Sequence, residues 1–170
     1  VKMMVFEDAA FGNLEGEGSQ GGLIVFLVGK DTGLACPIAW SSRKLKRVAR
    51  STLVAETLAA VDGIDEGVFL ASLWNEIFHF KSEKIDVEVY SDCKSLVEHI
   101  QSGSSGTTEK RIRRDLASIR EDLEEGTVTK LTWINTDKQY ADPLTKEEAS
   151  SSHLIRILET CLMDGDLHED

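Results

Sequence analysis

Residues 49–65, "ARSTLVAETLAAVDGID", are where the chain changes period. Before them apolar residues alternate as in strands; from Ser51 onward they recur every three to four positions, as in a helix. Projected at about 100° per residue, Leu53, Val54, Leu58, Val61 and Ile64 share one broad arc, while Asp62, Asp65 and Glu66 share another suited to water. Glu56 belongs to neither group. It lies beside an edge made of Ala60, Gly63 and Gly67, residues small enough for another backbone to come close. Taken alone, it would pass as an ordinary surface glutamate on a helix.

Toward the N-terminus, "VKMMVFEDAAFGN" alternates, with Lys2, Met4, Phe6 and Asp8 on one side and Val1, Met3 and Val5 on the other. This strand is expected to end at Asp8, in a Gly/Asn turn. "EGEGSQGG" reads as a loop, "LIVFLVG" as a buried strand, "KDTG" as a turn and "LACPIAWSS" as a third strand. Short connections imply an antiparallel meander. Toward the C-terminus comes a helix to about Phe80, broken into two pieces if Gly63 and Gly67 interrupt it. A strand "KIDVEVYSD", a short helix "CKSLVEHIQ" and the connection "SGSSGTT" follow. A helix on Ile112, Leu116, Ile119 and Leu123 then ends at Gly126, before a strand "TVTKLTWINT". The last helix is read on Leu154, Ile155, Leu158 and Leu162. This order predicts an α/β fold with a mixed five-stranded sheet, because strands 4 and 5 need helical crossovers to lie parallel to strand 1. One domain is expected over residues 1–163, with an acidic tail at 164–170.

The chain has 170 residues, 41% of them hydrophobic, and carries 30 acids against 19 bases for a net charge of −11. That balance argues against gripping nucleic acid by bulk electrostatics. Yet "RKLKRVAR" at 43–50 and "KRIRR" at 110–114 are locally basic, able to touch a few phosphates. Cys36, Cys93 and Cys161 are odd in number and lack metal-ligand spacing, so neither a disulfide-linked partner nor a zinc site is expected. No apolar run approaches the roughly 18 residues of a membrane span, and no membrane partner is expected. The cysteine usage points to a reducing, intracellular setting, and the opening on Val1 suggests a piece cut from something longer. His79, His99, His153 and His168 are scattered without ligand spacing, and Trp40, Trp74 and Trp133 are assigned to the core.

The acids fall in a pattern. Asp8 closes the first strand, Asp92 the fourth, and Asp142 follows the fifth within a short loop. Strands one and four running parallel and adjacent would bring Asp8 and Asp92 to one edge, with Glu56 as a third member. Such a cluster repels itself unless divalent cations sit within it, and oxygen donors alone suit Mg²⁺ or Mn²⁺. Each acid also has a local alternative: Asp92 as a helix cap, Asp142 as an N-cap before Pro143, Asp8 as a turn residue.

With these acids in place, "EDAAFGN", "SQGGLIVFLVG", "IAWSSRKLKRVARSTLVAETLAA", "VYSDCKSLV" and "NTDKQYADPLTK" together resemble the ribonuclease H domain that adjoins reverse transcriptase in copia-type retrotransposon polyproteins. The resemblance spans roughly residues 3–146 and implies the ribonuclease H-like fold. It implies that Asp8, Glu56, Asp92 and Asp142 hold two Mg²⁺ ions, with Mn²⁺ as a substitute, and that the RNA strand of an RNA/DNA hybrid is hydrolysed to a 5′-phosphate and a 3′-hydroxyl. It further implies an adjacent reverse transcriptase domain as partner, and a retroelement particle in the cytoplasm, or the nucleus, as the location. Ser41, Ser42, Arg43, Lys44, Lys46, Arg47, Ser51 and Ser95 are the expected contacts to hybrid phosphates. Cellular relatives place a histidine in the loop before the last acid; here "NTDKQYAD" offers only Lys138 or Gln139 to assist product release. The competing reading is a degenerate or host-retained module that keeps the fold as a structural or interaction domain.

Overall fold

The computed structural model describes residues 1–78, 84–103, 110 and 112–163. The helix end read at Phe80, most of the "SGSSGTT" connection, Arg111 of the basic run, and the tail at 164–170 lie outside the described residues, as do His79 and His168. Strands β1 (Lys2–Leu14), β2 (Gly18–Val28) and β3 (Ala35–Lys44) form the expected antiparallel meander. Helix α1 (Thr52–Phe78) then leads to β4 (Asp86–Ser91), followed by α2 (Lys94–Gln101), α3 (Ile112–Glu124), β5 (Lys130–Trp133) and α4 (Ser152–Thr160). The sheet order is β3-β2-β1-β4-β5, with β4 parallel to β1 and β5 parallel to β4.

Strand alternation sorts the sheet into two faces. Met3 and Val5 join Val25, Val87 and Val89 beneath α1, α2 and α3, where Leu58, Ile64, Leu96, Ile112, Leu116 and Ile119 complete one core. Met4 and Phe6 face the other way with Phe26, Tyr90, Tyr140 and Ile157. There Phe6 stacks on Tyr90 at 4.9 Å between ring centroids and meets Tyr140 edge-on at 4.8 Å.

Several local expectations are corrected. β1 does not stop at Asp8 but runs on to Leu14, with a register irregularity between Ala10 and Leu14. The stretch read as a loop is a turn at residues 15–17 only, and Ser19 to Gly22 belong to β2. Gly21 and Gly22 are there for close approach: a Cβ on Gly21 would lie 2.6 Å from Leu45 Cδ2, and one on Gly22 2.8 Å from Thr145 Cγ2. β5 is short, with four residues. In α4 the residue that packs is Ile157, with Leu154 partly buried, whereas Ile155 and Leu158 are exposed, and Leu162 lies beyond the helix, bridged to Leu34 and exposed. Trp40 and Trp133 are not core residues, being 68% and 43% exposed.

Helix α1 is unbroken across Gly63 and Gly67. Both glycines face β1, where an added Cβ would lie 3.2 Å from Val5 Cγ1 at Gly63 and 2.5 Å from Val5 Cγ2 at Gly67. Each costs the helix about 1 kcal/mol in propensity, and each lets it settle against the sheet. Gly67→Ala is expected to destabilise the fold by about 1–3 kcal/mol despite its better helix propensity, because buried, β-branched Val5 has no rotamer to yield. Urea unfolding checks this; a Gly67→Ala protein as stable as wild type would contradict it.

Candidate active site

The β1–β4 ladder ends at the pair Phe6 and Tyr90, so past that point β1 continues without β4 beside it. Asp8 lies two residues beyond the last pair and Asp92 one residue past the end of β4. Close seating of α1 on β1 brings the second turn of the helix to the same place. Glu56 is only 5% exposed, and carboxylate oxygens of Asp8, Glu56 and Asp92 all lie within 4.8 Å of one another. Three all-oxygen donors at this separation can hold a hard divalent cation, and the buried Glu56 Oε2 has no protein hydrogen-bond partner.

Neighbouring groups fix the carboxylates. The Thr136 hydroxyl donates to Asp92 Oδ2 at 2.8 Å, and the Trp133 indole N–H donates to the Asp92 carbonyl at 3.0 Å. Half-exposed Trp133 thus packs little but anchors Asp92. The Thr145 hydroxyl donates to Asp8 Oδ2, and Lys146 Nζ donates to Asp8 Oδ1 at 3.2 Å. Asp142 opens a 3-10 turn with Pro143 and stands outside the trio; it is tied to Asp8 through Lys146, whose Nζ also donates to Asp142 Oδ1. The turn itself is held by Gln20 Nε2 and Ser42 Oγ on the Leu144 carbonyl, and by Asn13 Nδ2 on that of Thr145.

Glu7, Thr136, Thr145 and Lys146 join the site without being among the residues that the sequence singles out, and Gln139 takes a different part from the one expected. Glu7 is fully buried on the α1 face of β1, with neither carboxylate oxygen hydrogen-bonded; the Ser91 hydroxyl favours its charged form without a bond of good geometry. Alternation signals this, since Glu7 continues the Met3–Val5 face. Thr145 was unsignalled, but Lys146 stands four residues after Asp142, a spacing that pairs opposite charges. Gln139 is buried, donating to the Glu7 carbonyl at 2.8 Å and accepting from the Ala141 N–H at 3.2 Å. Its amide stitches β1 to the Asp142 loop.

The expected phosphate contacts are distributed differently. Lys44 and Lys46 are exposed, whereas Arg43 pairs with Asp62 at 3.1 Å and Arg47 with Asp115 at 2.9 Å. Ser42 is engaged with the Leu144 carbonyl, and Ser51 Oγ accepts from the Val54 N–H at the start of α1. Ser41 is half-buried on β3, and Ser95 is exposed on α2 beside Cys93. Cys36, Cys93 and Cys161 are free thiols, and no described helix is long and apolar enough to cross a membrane.

Burial pushes the Glu56 carboxyl up to about 10, and the charges of Glu7, Asp8 and Asp92 add to the effect. Burial also raises Asp8, opposed by the Thr145 hydrogen bond and the Lys146 charge, and raises Glu7 well above the ordinary carboxyl range. The folded chain therefore binds the Glu56 proton more tightly than the unfolded chain does. Its contribution to stability without divalent ions is full below the ordinary value of 4.5 and is lost as pH rises toward about 10. Urea unfolding in a chelator should show Glu56→Gln gaining on wild type steadily over that window; parallel pH profiles for the two proteins would contradict this.

No protein-family model and no curated protein matches the chain. Solved structures do. LC11-RNase H1, isolated from compost by a metagenomic approach, superposes with a TM-score of 0.60 at 19% identity, over 86% of this chain and 94% of that one. LC11-RNase H1 in complex with an RNA/DNA hybrid gives 0.58 at 20% identity, over 90% and 99%. The N-terminal RNase H domain of Rv2228c from Mycobacterium tuberculosis gives 0.58 at 18% identity, over 93% and 99%. At such identities the likeness is one of fold, and with the sheet order and parallel β1–β4–β5 core it establishes that this chain has the ribonuclease H-like fold.

Proposed function

We propose that the chain is a metal-dependent ribonuclease H that cuts the RNA strand of RNA/DNA hybrids. The observation that carries this reading is the convergence of Asp8, Glu56 and Asp92 at the end of the β1–β4 ladder. The neighbour of like fold solved with an RNA/DNA hybrid supports the substrate class. The "ADPLTK" ending and the "AWSSRK" to "AE" passage support an origin in a copia-type retroelement, next to a reverse transcriptase domain in a longer polyprotein and acting in a retroelement particle or the nucleus.

Asp8, Glu56 and Asp92 would hold one Mg²⁺ or Mn²⁺, and Asp8 with Asp142 a second. Bound there, such ions supply activation of water and charge stabilisation at the leaving oxygen. The protein's own part is placement. Thr136 and Trp133 orient Asp92, Thr145 orients Asp8, and Gln139 keeps the Asp142 loop against β1. Burial of Glu56 keeps competing water from its carboxylate. Phosphate contact falls first to exposed Lys44 and Lys46 and to Ser41 and Ser95; Arg43 and Arg47 join by exchanging exposed ion pairs worth little in water, and Ser42 and Ser51 would have to give up the bonds that hold them.

Purified protein with Mg²⁺ or Mn²⁺ is expected to cut the RNA of a labelled hybrid, leaving 5′-phosphate ends, and Asp92→Asn should reduce cleavage to background. Folded protein that cuts no hybrid at any metal concentration would leave the interaction-module reading in its place. Lys44→Ala with Lys46→Ala should raise KM roughly tenfold with kcat little changed, and flatten the dependence of log KM on log salt by about one to two units of slope. An unchanged KM and slope would take these lysines out of the hybrid interface.

A further inference from the structure

Asp142 and the carboxylate trio differ in what they face. Glu56 and Asp92 share space with Asp8 and with each other, whereas Asp142 lies outside that trio with its oxygen on an ammonium. Lys146 reaches both Asp142 Oδ1 and, at 3.2 Å, Asp8 Oδ1, so it sits between the two acids that would frame a second ion. The arrangement is built into the backbone. The 3-10 turn Asp142–Leu144 carries Asp142 and Lys146 to one side, and the Lys146 N–H returns to the Asp142 carbonyl at 3.1 Å. Gln20, Ser42 and Asn13 fasten the turn through its carbonyls, and Gly22 packs so closely under Thr145 and Leu144 that the turn cannot sink inward.

We propose that Lys146 is the resident cation between Asp8 and Asp142, so that a divalent ion enters that side only by displacing its ammonium. With the backbone fastened, displacement is a movement of the lysine side chain alone. That side chain is 41% exposed and has water to move into, while the Asp8 carboxyl it leaves is fully buried and needs a replacement charge. The two ion positions are then unequal: in the trio only Asp8 touches the ammonium, whereas on the Asp8–Asp142 side both acids do, so an ion there binds against the full tethered positive charge. The anionic scissile phosphate of a hybrid, as a counter-charge for the displaced ammonium, would favour filling the second position on substrate binding.

This inference rests on the metal-dependent reading above, and one experiment separates their failures. Mn²⁺ binding to the intact chain without nucleic acid is followed by electron paramagnetic resonance and calorimetry, with thermal melts to confirm folding. Wild type is expected to bind one ion that Asp92→Asn removes, and a second at least about tenfold more weakly. Lys146→Gln should tighten the second ion by about tenfold and the first, which shares only Asp8 with the lysine, by clearly less. Lys146→Arg, which keeps the charge, should stay near wild type, and Asp142→Asn added to Lys146→Gln should cancel the gain. A merely structural lysine would not raise metal affinity when removed. If Lys146→Gln leaves the second ion as weak as in wild type while the first ion binds normally, the role given to Lys146 is wrong and the metal site stands. If folded wild type binds no ion that Asp92→Asn removes, both readings fall.

Discussion

The structure depends on how closely α1 lies on β1. Gly63 and Gly67 remove the side chains that would hold the helix off Val5, and that contact sets the depth at which Glu56 meets Asp8 and Asp92. A helix displaced outward by a methyl group would leave the same residues in the same order but spread the carboxylates. Close packing and clustering of acids are therefore one constraint seen from two sides: a tight interface on the core face, and a crowded, poorly solvated set of charges where that interface meets the end of the β1–β4 ladder.

Crowding has an energetic consequence. Glu7, Asp8 and Glu56 are buried, and Glu7 and Glu56 keep oxygens that no protein donor reaches. Ordinary folds avoid this, since an unpaired buried carboxylate costs several kcal/mol and takes up a proton instead. Here burial first, and then the charges of Glu7, Asp8 and Asp92, raise the affinity of Glu56 for a proton, and a divalent cation would supply the missing positive charge in its place. Lys146 provides part of it to Asp8 and Asp142 but sits too far round the site to satisfy Glu56, on which its effect is the smallest of the charges present.

Much of this was legible in the sequence. Alternation in "VKMMVFED" placed Met4 and Phe6 opposite Met3 and Val5, the change of period at Ser51 forced a crossover, and the glycine edge beside Glu56 anticipated a close helix–strand contact. What was missed has common causes. Gly21 and Gly22 look like loop residues and Gly63 and Gly67 like possible helix breaks, yet all four lie within regular elements, because tertiary packing overrides local propensity. Of the three tryptophans expected in the core only Trp74 packs against it, while Trp133 uses its N–H to hold Asp92. The Asp142 arrangement was half legible: the acid was found by its place after the fifth strand, but its pairing with Lys146 depends on a 3-10 turn that apolar periodicity does not encode.

The central claim is that the trio of carboxylates is a divalent-cation site created by the seating of α1. Crystals grown with saturating Mn²⁺ and measured for manganese anomalous scattering test it directly. The predicted result is an anomalous peak coordinated by oxygens of Asp8, Glu56 and Asp92, lost in Asp92→Asn crystals of the same fold. A trio that stays free of manganese at saturation, with α1 seated on β1 as described, would contradict it.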